Sequence, residues 1–431
     1  MTSEVPPREA REAYVWIWLP NALEPVVAGR LAREGDRLVF NYGRSYLARP
    51  DAIPLYEPDL PLRAGTIPPA PGQQMAGCLR DAAPDAWGRR VILNRLAGRA
   101  GPGADVAELD ELTYLLESGS DRIGALDFQR SADRHAPRLA RSATLAELLA
   151  AAERIERGLP LTPELDAALV HGTSLGGARP KALIADGDRR LIAKFSSSTD
   201  VFDIVKAEFV AMRLAARAGI RTASVRLERA AEKDVLLVER FDRVREPTGW
   251  RRKAMVSALT LMGLDEMGAR YASYEILAEI VRMRCSEPRA SARELFARMT
   301  FNVLCGNTDD HARNHAAFWD GDRPSLTPAY DICPQVRSGG EASQAMLITG
   351  SERLSRLATC IRAAPSFLLD EESAEALIAD QIAAVRSAWT DVCDEAGLGT
   401  VQRDLLRTRA FLMPVIFEGA PERLRAMAGL A

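Results

Sequence analysis

The sequence predicts an α+β fold in three parts: a small N-terminal α/β subdomain, a middle lobe of strands around one helix, and a mainly helical C-terminal lobe. Three observations carry that prediction. Runs of aromatic and β-branched residues at 14–19 and 37–42 precede helical spacing at 77–96 and 108–117. Between 181 and 238, short apolar runs bounded by turn residues surround one amphipathic stretch. From 274 onward helical spacing dominates.

Taken in order, YVWIWL at 14–19 and RLVFNY at 37–42 read as strands, and proline-spaced loops fill 50–71. Residues 77–96 then read as one helix and 108–117 as another. An arginine-rich stretch with few apolar residues, holding Arg130, Arg134, His135, Arg138 and Arg141, closes the first unit at 1–129. A helical pattern at 143–157 opens the second, which runs over 143–240. Residues 181–185 and 190–195 flank Asp186-Gly187-Asp188, the turn chemistry of a hairpin. Val205, Phe209, Met212 and Ala216 recur three or four apart within 203–218, and Gly219 can take the left-handed conformation that ends a helix. Strands are expected at 223–228 and 235–238. In the third unit, 241–431, helices are expected at 274–284 and 292–304, with paired β-like segments at 316–319 and 329–332.

The chain has 431 residues, 56 of them Lys or Arg and 59 Asp or Glu, for a net charge of −3. That balance excludes a dedicated nucleic-acid binder, which is basic over at least one domain. Only five of the basic residues are lysines, at 181, 194, 206, 233 and 253. A GC-rich coding bias accounts for the arginines, and it makes each retained lysine informative. The opening residues lack a basic and apolar secretion signal, and no apolar run approaches the roughly 20 residues of a membrane span. Cys78, Cys285, Cys305, Cys333, Cys360 and Cys393 form no CxxC pair, so reduced thiols and a cytoplasmic location are expected. His135, His171, His311 and His315 are too few for a multi-histidine metal cage.

Three motifs carry chemistry. Residues 172–181, GTSLGGARPK, form a glycine-rich turn before a strand, where backbone N–H groups can approach phosphate. It is no Walker A loop, because Ala178 stands where the lysine belongs. Read alone, it is equally an ordinary loop. Lys194 near the end of a strand and Glu208 in the following helix then give the order of a nucleotide lobe, in which a lysine neutralises phosphate and an acid orients it. The strongest signal is GNTDDHARNH at 306–315. Asp309 and Asn314 have the D-x₄-N spacing that puts a base and a metal ligand on one turn, and Asp331 follows with a second acid. His311 and His315, four apart, lack a third ligand in HExxH form; hydrogen bonds that shape the loop suit them better than zinc.

These residues resemble the HipA family of serine/threonine protein kinases, the toxins of bacterial type II toxin–antitoxin modules. The resemblance rests on SLGGARPK, AKF around Lys194, AEFVAMRLAARAGI, LLVERFDR, FNVLCGNTDDHARNH and PAYDICP, in the family's order across 172–334. It implies a protein-kinase-like bilobal fold that uses ATP and Mg²⁺. Asp309 would be the catalytic base, Asn314 and Asp331 the metal ligands, and Lys194 a phosphate contact. Ser174, Gly176, Gly177 and Lys181 would line the phosphate loop. Glu239 and Phe241 would meet adenine through their backbone, although by themselves they read equally as a surface acid and a core aromatic.

Ser174 matches a loop serine that family members phosphorylate on themselves; with Thr173 adjacent, the modified position stays open. A phosphate there adds about two negative charges beside the nucleotide phosphates. The resemblance further implies a protein substrate such as an aminoacyl-tRNA synthetase, with growth arrest and persistence as the outcome. It also implies a separate helix-turn-helix antitoxin through which operator DNA is reached. A small-molecule kinase and a weakly active co-repressor of the same fold are the alternatives.

Overall fold

The computed structural model describes residues 10–97, 107, 109–139, 143–162, 164–165, 177, 179–197 and 200–430. The N-terminal unit is a five-stranded sheet of order β4-β3-β2-β1-β5, built from β1 (Glu12–Ile17), β2 (Val26–Glu34), β3 (Arg37–Tyr42), β4 (Thr66–Ile67) and β5 (Leu126–Gln129). Alternation along β1 sends Ala13, Val15 and Ile17 into the core. The sequence reading misses β2, whose polar and charged positions dilute its alternation, yet β2 is the strand that joins β1 to β3. Short α1 (Arg44–Leu47) follows β3.

The single helix expected at 77–96 is two: α2 (Gly77–Arg80) and α3 (Ala86–Ala97). Pro84 lies at the break, and a proline ring with no N–H cannot continue the α2 ladder. Asp110 caps α4 (Glu111–Glu117) through its side chain. α5 (Leu145–Glu156) begins in a capping box of Thr144 and Glu147.

The middle lobe is a four-stranded antiparallel sheet of order β6-β7-β9-β8. The strands β6 (Lys181–Asp186) and β7 (Arg189–Phe195) form the expected hairpin, with Asp186 opposite Arg189. α6 (Ile204–Arg217), capped by Asp203, packs beside β8 (Val225–Ala230) and β9 (Lys233–Glu239). Gly219 ends it at φ +82°. Trp87 and Val91 of α3 belong to this lobe's second core, with α5, Ala182, Leu191, Phe195 and Leu237. A segment of the first 129 residues is thus built into the next lobe.

Hairpin β10 (Arg243–Glu246) and β11 (Gly249–Arg252) leads to β12 (Ala254–Ser257). β12 pairs with β13 (Ala316–Trp319), and β13 with β14 (Ser325–Leu326). The β-like segment expected at 329–332 is not a strand paired with 316–319. It makes one isolated bridge, Ala329 to Thr222, because Asp331 turns into the left-handed region. The remaining chain is helical: α7 (Ala258–Leu261), α8 (Tyr274–Arg284), α9 (Pro288–Leu304), α10 (Leu357–Ala363), α11 (Glu371–Glu395), α12 (Thr400–Arg409) and α13 (Glu422–Ala428). None of the helices among the described residues is long and apolar enough to cross a membrane. The six cysteines are free.

One buried charge cluster ties the N-terminal sheet together. Asp127 accepts from Arg122 Nε at 3.2 Å, Arg138 Nη2 at 3.0 Å and the Phe128 N–H at 2.8 Å, and it meets His135 Nε2 at 2.9 Å. Burial opposes its charge, but the His135 hydrogen bond and the two guanidiniums more than offset that and hold the carboxyl below the ordinary carboxylate range. A depressed folded pKa contributes stability above the unfolded value of about 3.9, lost as pH falls below it. Urea unfolding at neutral pH and at pH about 3 is expected to show this loss, and Asp127→Asn to flatten the acid limb.

Candidate active site

Three walls converge on a cleft of about 820 Å³: the middle lobe, the loop after α9, and the N-terminal unit. On the middle lobe, Lys181 and Lys194 are direct partners across β6 and β7 and so project from the same face. Lys194 Nζ donates to Glu208 Oε1 of α6 at 2.5 Å and also to Asp331 Oδ1. Burial disfavours the ammonium, but the Asp331 and Glu208 carboxylates outweigh it and hold the pKa above the usual lysine value. Asp331 is likewise held well below the carboxylate range, against its own burial, by Lys194 and then Lys181.

The loop after α9 depends on a glycine. Gly306 sits at φ +69°, and a Cβ there would lie 2.7 Å from the Ala410 carbonyl oxygen. Asp310 turns inward to accept from the Tyr274 hydroxyl and to meet His315 Nε2 at 2.9 Å, both buried. With Asp310 anchored, its neighbour Asp309 faces outward and is exposed. Asn314 Nδ2 closes the turn on the Asp309 carbonyl at 3.3 Å, leaving Asn314 Oδ1 as an acceptor. Neighbouring atoms strip hydration from Asp309 and raise its pKa; His311 and Arg179 oppose this and Asp331 adds to it. The spacing that suggested zinc therefore serves the loop's shape through His315.

Asp331 reaches Lys194 because of its backbone. The N–H groups of Ala223 and Ala329 bond the Ala329 and Arg221 carbonyls at 2.8 and 2.7 Å, and the Tyr330 hydroxyl donates to the Arg313 carbonyl at 2.7 Å. The next residue turns to φ +60°, which costs an L-residue about 1–2 kcal/mol and is least unfavourable for Asn and Asp.

Of the expected phosphate-loop residues, Ser174 and Gly176 lie outside the described residues. Gly177, at φ +100°, and Lys181 line the cleft. Glu239 and Phe241 line it too, and the Glu239 N–H is committed to the Ser224 carbonyl at 2.8 Å. Only its carbonyl can serve as an acceptor to a base, while Phe241 can offer its N–H. Asp309 is not a lining residue, whereas His311, Asn314 and Asp331 are. Among the described residues no three His, Cys, Asp or Glu side chains gather as a metal cage. Asp331 and Asn314 offer one carboxylate and one amide oxygen, a set that suits a hard cation completing its shell with water and phosphate oxygens.

The N-terminal wall was not legible in the sequence. Ala82 to Ala86 and Ile123 to Leu126 line the cleft together with Gly177, Lys181 and the hinge segment 239–241. A buried ionic clamp fixes this wall to the hinge. Asp121 Oδ1 meets Arg240 Nη1 at 3.0 Å and Arg243 Nη2 at 2.8 Å, and Asp242 Oδ2 meets the same two arginines at 2.8 and 2.9 Å. The Gly124 N–H donates to Asp242 Oδ2 at 2.8 Å. Despite burial, Arg240, Arg243 and Arg252 hold Asp121 below the carboxylate range.

Comparison with known proteins agrees with this architecture. The chain is 28% identical over 199 residues to a putative kinase, Y4mE, of Sinorhizobium fredii, covering 42% of this chain and 47% of that protein. It is 27% identical over 183 residues to the serine/threonine-protein kinase toxin HipA of Shewanella oneidensis, covering 37% and 42%. These alignments span less than half the length of either relative. The structure of S. oneidensis HipA, solved with HipB and its operator DNA, matches 96% of this chain and 99% of that chain with a TM-score of 0.69 at 19% identity, which shows a shared fold. The expected kinase-like α+β class is therefore met. Residues 173–389 match the model of the HipA-like C-terminal domain and residues 20–129 that of the HipA N-terminal domain, so the chain belongs to the HipA family.

Proposed function

We propose that the chain is an ATP- and Mg²⁺-dependent serine/threonine protein kinase and the toxin of a toxin–antitoxin pair. The observation that carries this reading is the convergence of Lys194, Glu208 and Asp331 beside the Asp309–Asn314 turn. ATP bound with Mg²⁺ would supply the transferable phosphoryl group. Lys181 and Lys194 neutralise phosphate charge, and Glu208 holds Lys194 on station. Asp331 and Asn314 Oδ1 would hold the cation as oxygen ligands. Exposed Asp309 accepts or orients the proton of an incoming serine or threonine hydroxyl. The Glu239 carbonyl and Phe241 N–H match the adenine edge, one acceptor beside one donor.

The substrate we assign is a translation component such as an aminoacyl-tRNA synthetase, on the family resemblance, with Ser174 as the self-modified loop residue. A separate helix-turn-helix protein serves as antitoxin and carries the contact with operator DNA. The relative crystallised with HipB and DNA supports that partnership. Labelled ATP, Mg²⁺ and a cell lysate are expected to give at least one labelled polypeptide, with Asp331→Asn silent. Label confined to a small metabolite, or equal labelling by the variant, would sink the proposal. Phosphopeptide mapping then decides between Ser174 and Thr173.

A further inference from the structure

Asp85 stands in the cleft without a task in the chemistry above. It precedes α3, in the segment of the N-terminal region that is built into the middle lobe. Both of its carboxylate oxygens are shut off from solvent and no side chain among the described residues hydrogen-bonds them; only the Trp87 and Gly88 N–H groups at the start of α3 approach. Such a group is costly to bury and calls for an explanation.

Its surroundings are those of the phosphate loop. The Trp87 N–H donates to the Gly177 carbonyl at 3.3 Å, and the Trp87 indole N–H to the Lys181 carbonyl at 3.0 Å. A Cβ built on Gly177 would lie 2.1 Å from Lys181 Nζ and 3.8 Å from Asp85 Oδ2. The carboxylate and the ammonium therefore face one point at the end of the glycine turn. Burial lowers the Lys181 pKa, with Asp85 opposing that by favouring the ammonium, while Lys181 and Arg313 favour the Asp85 anion. Burial pushes Asp85 up to about 6, with the Trp87 and Gly88 N–H groups opposing, so it is still an anion at neutral pH.

We propose that Asp85 is an affinity-determining residue of the nucleotide site, an electrostatic brake that opposes phosphate at Lys181. A fixed anion there competes for the Lys181 field and repels each phosphate that enters, so it weakens ligands according to the phosphates they carry. The base and ribose, held at the hinge, escape it. The brake keeps nucleoside triphosphate and diphosphate exchangeable in a cleft walled on three sides.

This rests on the nucleotide reading of the cleft, and the experiment separates the two. Wild type, Asp85→Asn and Asp85→Ser are titrated calorimetrically with adenosine, ADP and ATP in Mg²⁺ buffer, after unliganded melts establish that each is folded. Serine keeps a helix-capping oxygen at the start of α3, so it stands in if the asparagine variant fails to fold. From a unit charge several ångströms away at intermediate dielectric, ATP is expected to bind about tenfold tighter to the variants, ADP about threefold tighter, and adenosine unchanged. A residue that merely supports the fold would weaken all three alike. Equal changes across the ligands, or weaker ATP binding by the folded variants, overturn the brake. Failure of wild type to bind any of the three overturns the nucleotide reading, and the brake with it.

Discussion

Asp309→Asn is expected to lower the turnover of phosphoryl transfer by about 10³-fold while leaving the affinity for ATP within a factor of about two. The split follows from position. Asp309 is exposed and outside the lining of the cleft, so in the proposed reaction its carboxylate would meet the acceptor hydroxyl and not the nucleotide. Asparagine preserves the backbone carbonyl that Asn314 bonds, so the turn stays closed. It cannot take a proton. Single-turnover labelling alongside nucleotide titration would check both halves. Undiminished transfer would remove Asp309 from the role of base, and lost ATP binding would mean that the turn itself had collapsed.

Asp121→Asn is expected to destabilise the fold by about 3 kcal/mol, the scale for breaking one side of a largely buried ion cluster. The carboxylate lies between Arg240 and Arg243, at 3.0 and 2.8 Å, and Arg252 adds a third positive charge nearby. With Asp121 neutral, the Arg240 and Arg243 guanidiniums share Asp242 alone. Arg240 lies between Glu239 and Phe241, so a loosened clamp also displaces the hinge, and ATP affinity is expected to fall about tenfold. Urea unfolding and nucleotide titration of the same samples provide the test, with Asp121→Glu expected to restore part of each. A variant with wild-type stability and affinity would show that the N-terminal wall is held by its apolar contacts alone.

The elements legible in the sequence were those with short-range signatures. Helices 204–217 and 274–284 carry their apolar spacing and capping residues within their own length, and the 181–195 hairpin carries its turn. The order of Gly177, Lys194, Glu208, Asp309, Asn314 and Asp331 was legible for the same reason: each lies in a local motif. What failed did so where a distant partner decides. β2 is recognisable only beside β1 and β3, and Pro84 divides a helical pattern whose second half packs under another lobe. Residues 329–332 look like a strand until the bridge to Thr222 and the anchor of Tyr330 on Arg313 turn Asp331 aside.

By itself, then, the sequence determined the family, the lobe order and the residue types that a phosphoryl-transfer site needs, because spacing along a strand, helix or tight turn is written in consecutive residues. The tertiary structure alone decided how those residues act together. It brought Lys194 to Asp331 across 137 positions and Trp87 to Lys181 across 94. It also made the N-terminal unit a wall of the cleft through Asp121, and set the buried Asp85 carboxylate beside Gly177 and Lys181. Such contacts depend on closing long loops around a common core and on burying charge where only particular partners can offset it, and neither is encoded in any short stretch of chain.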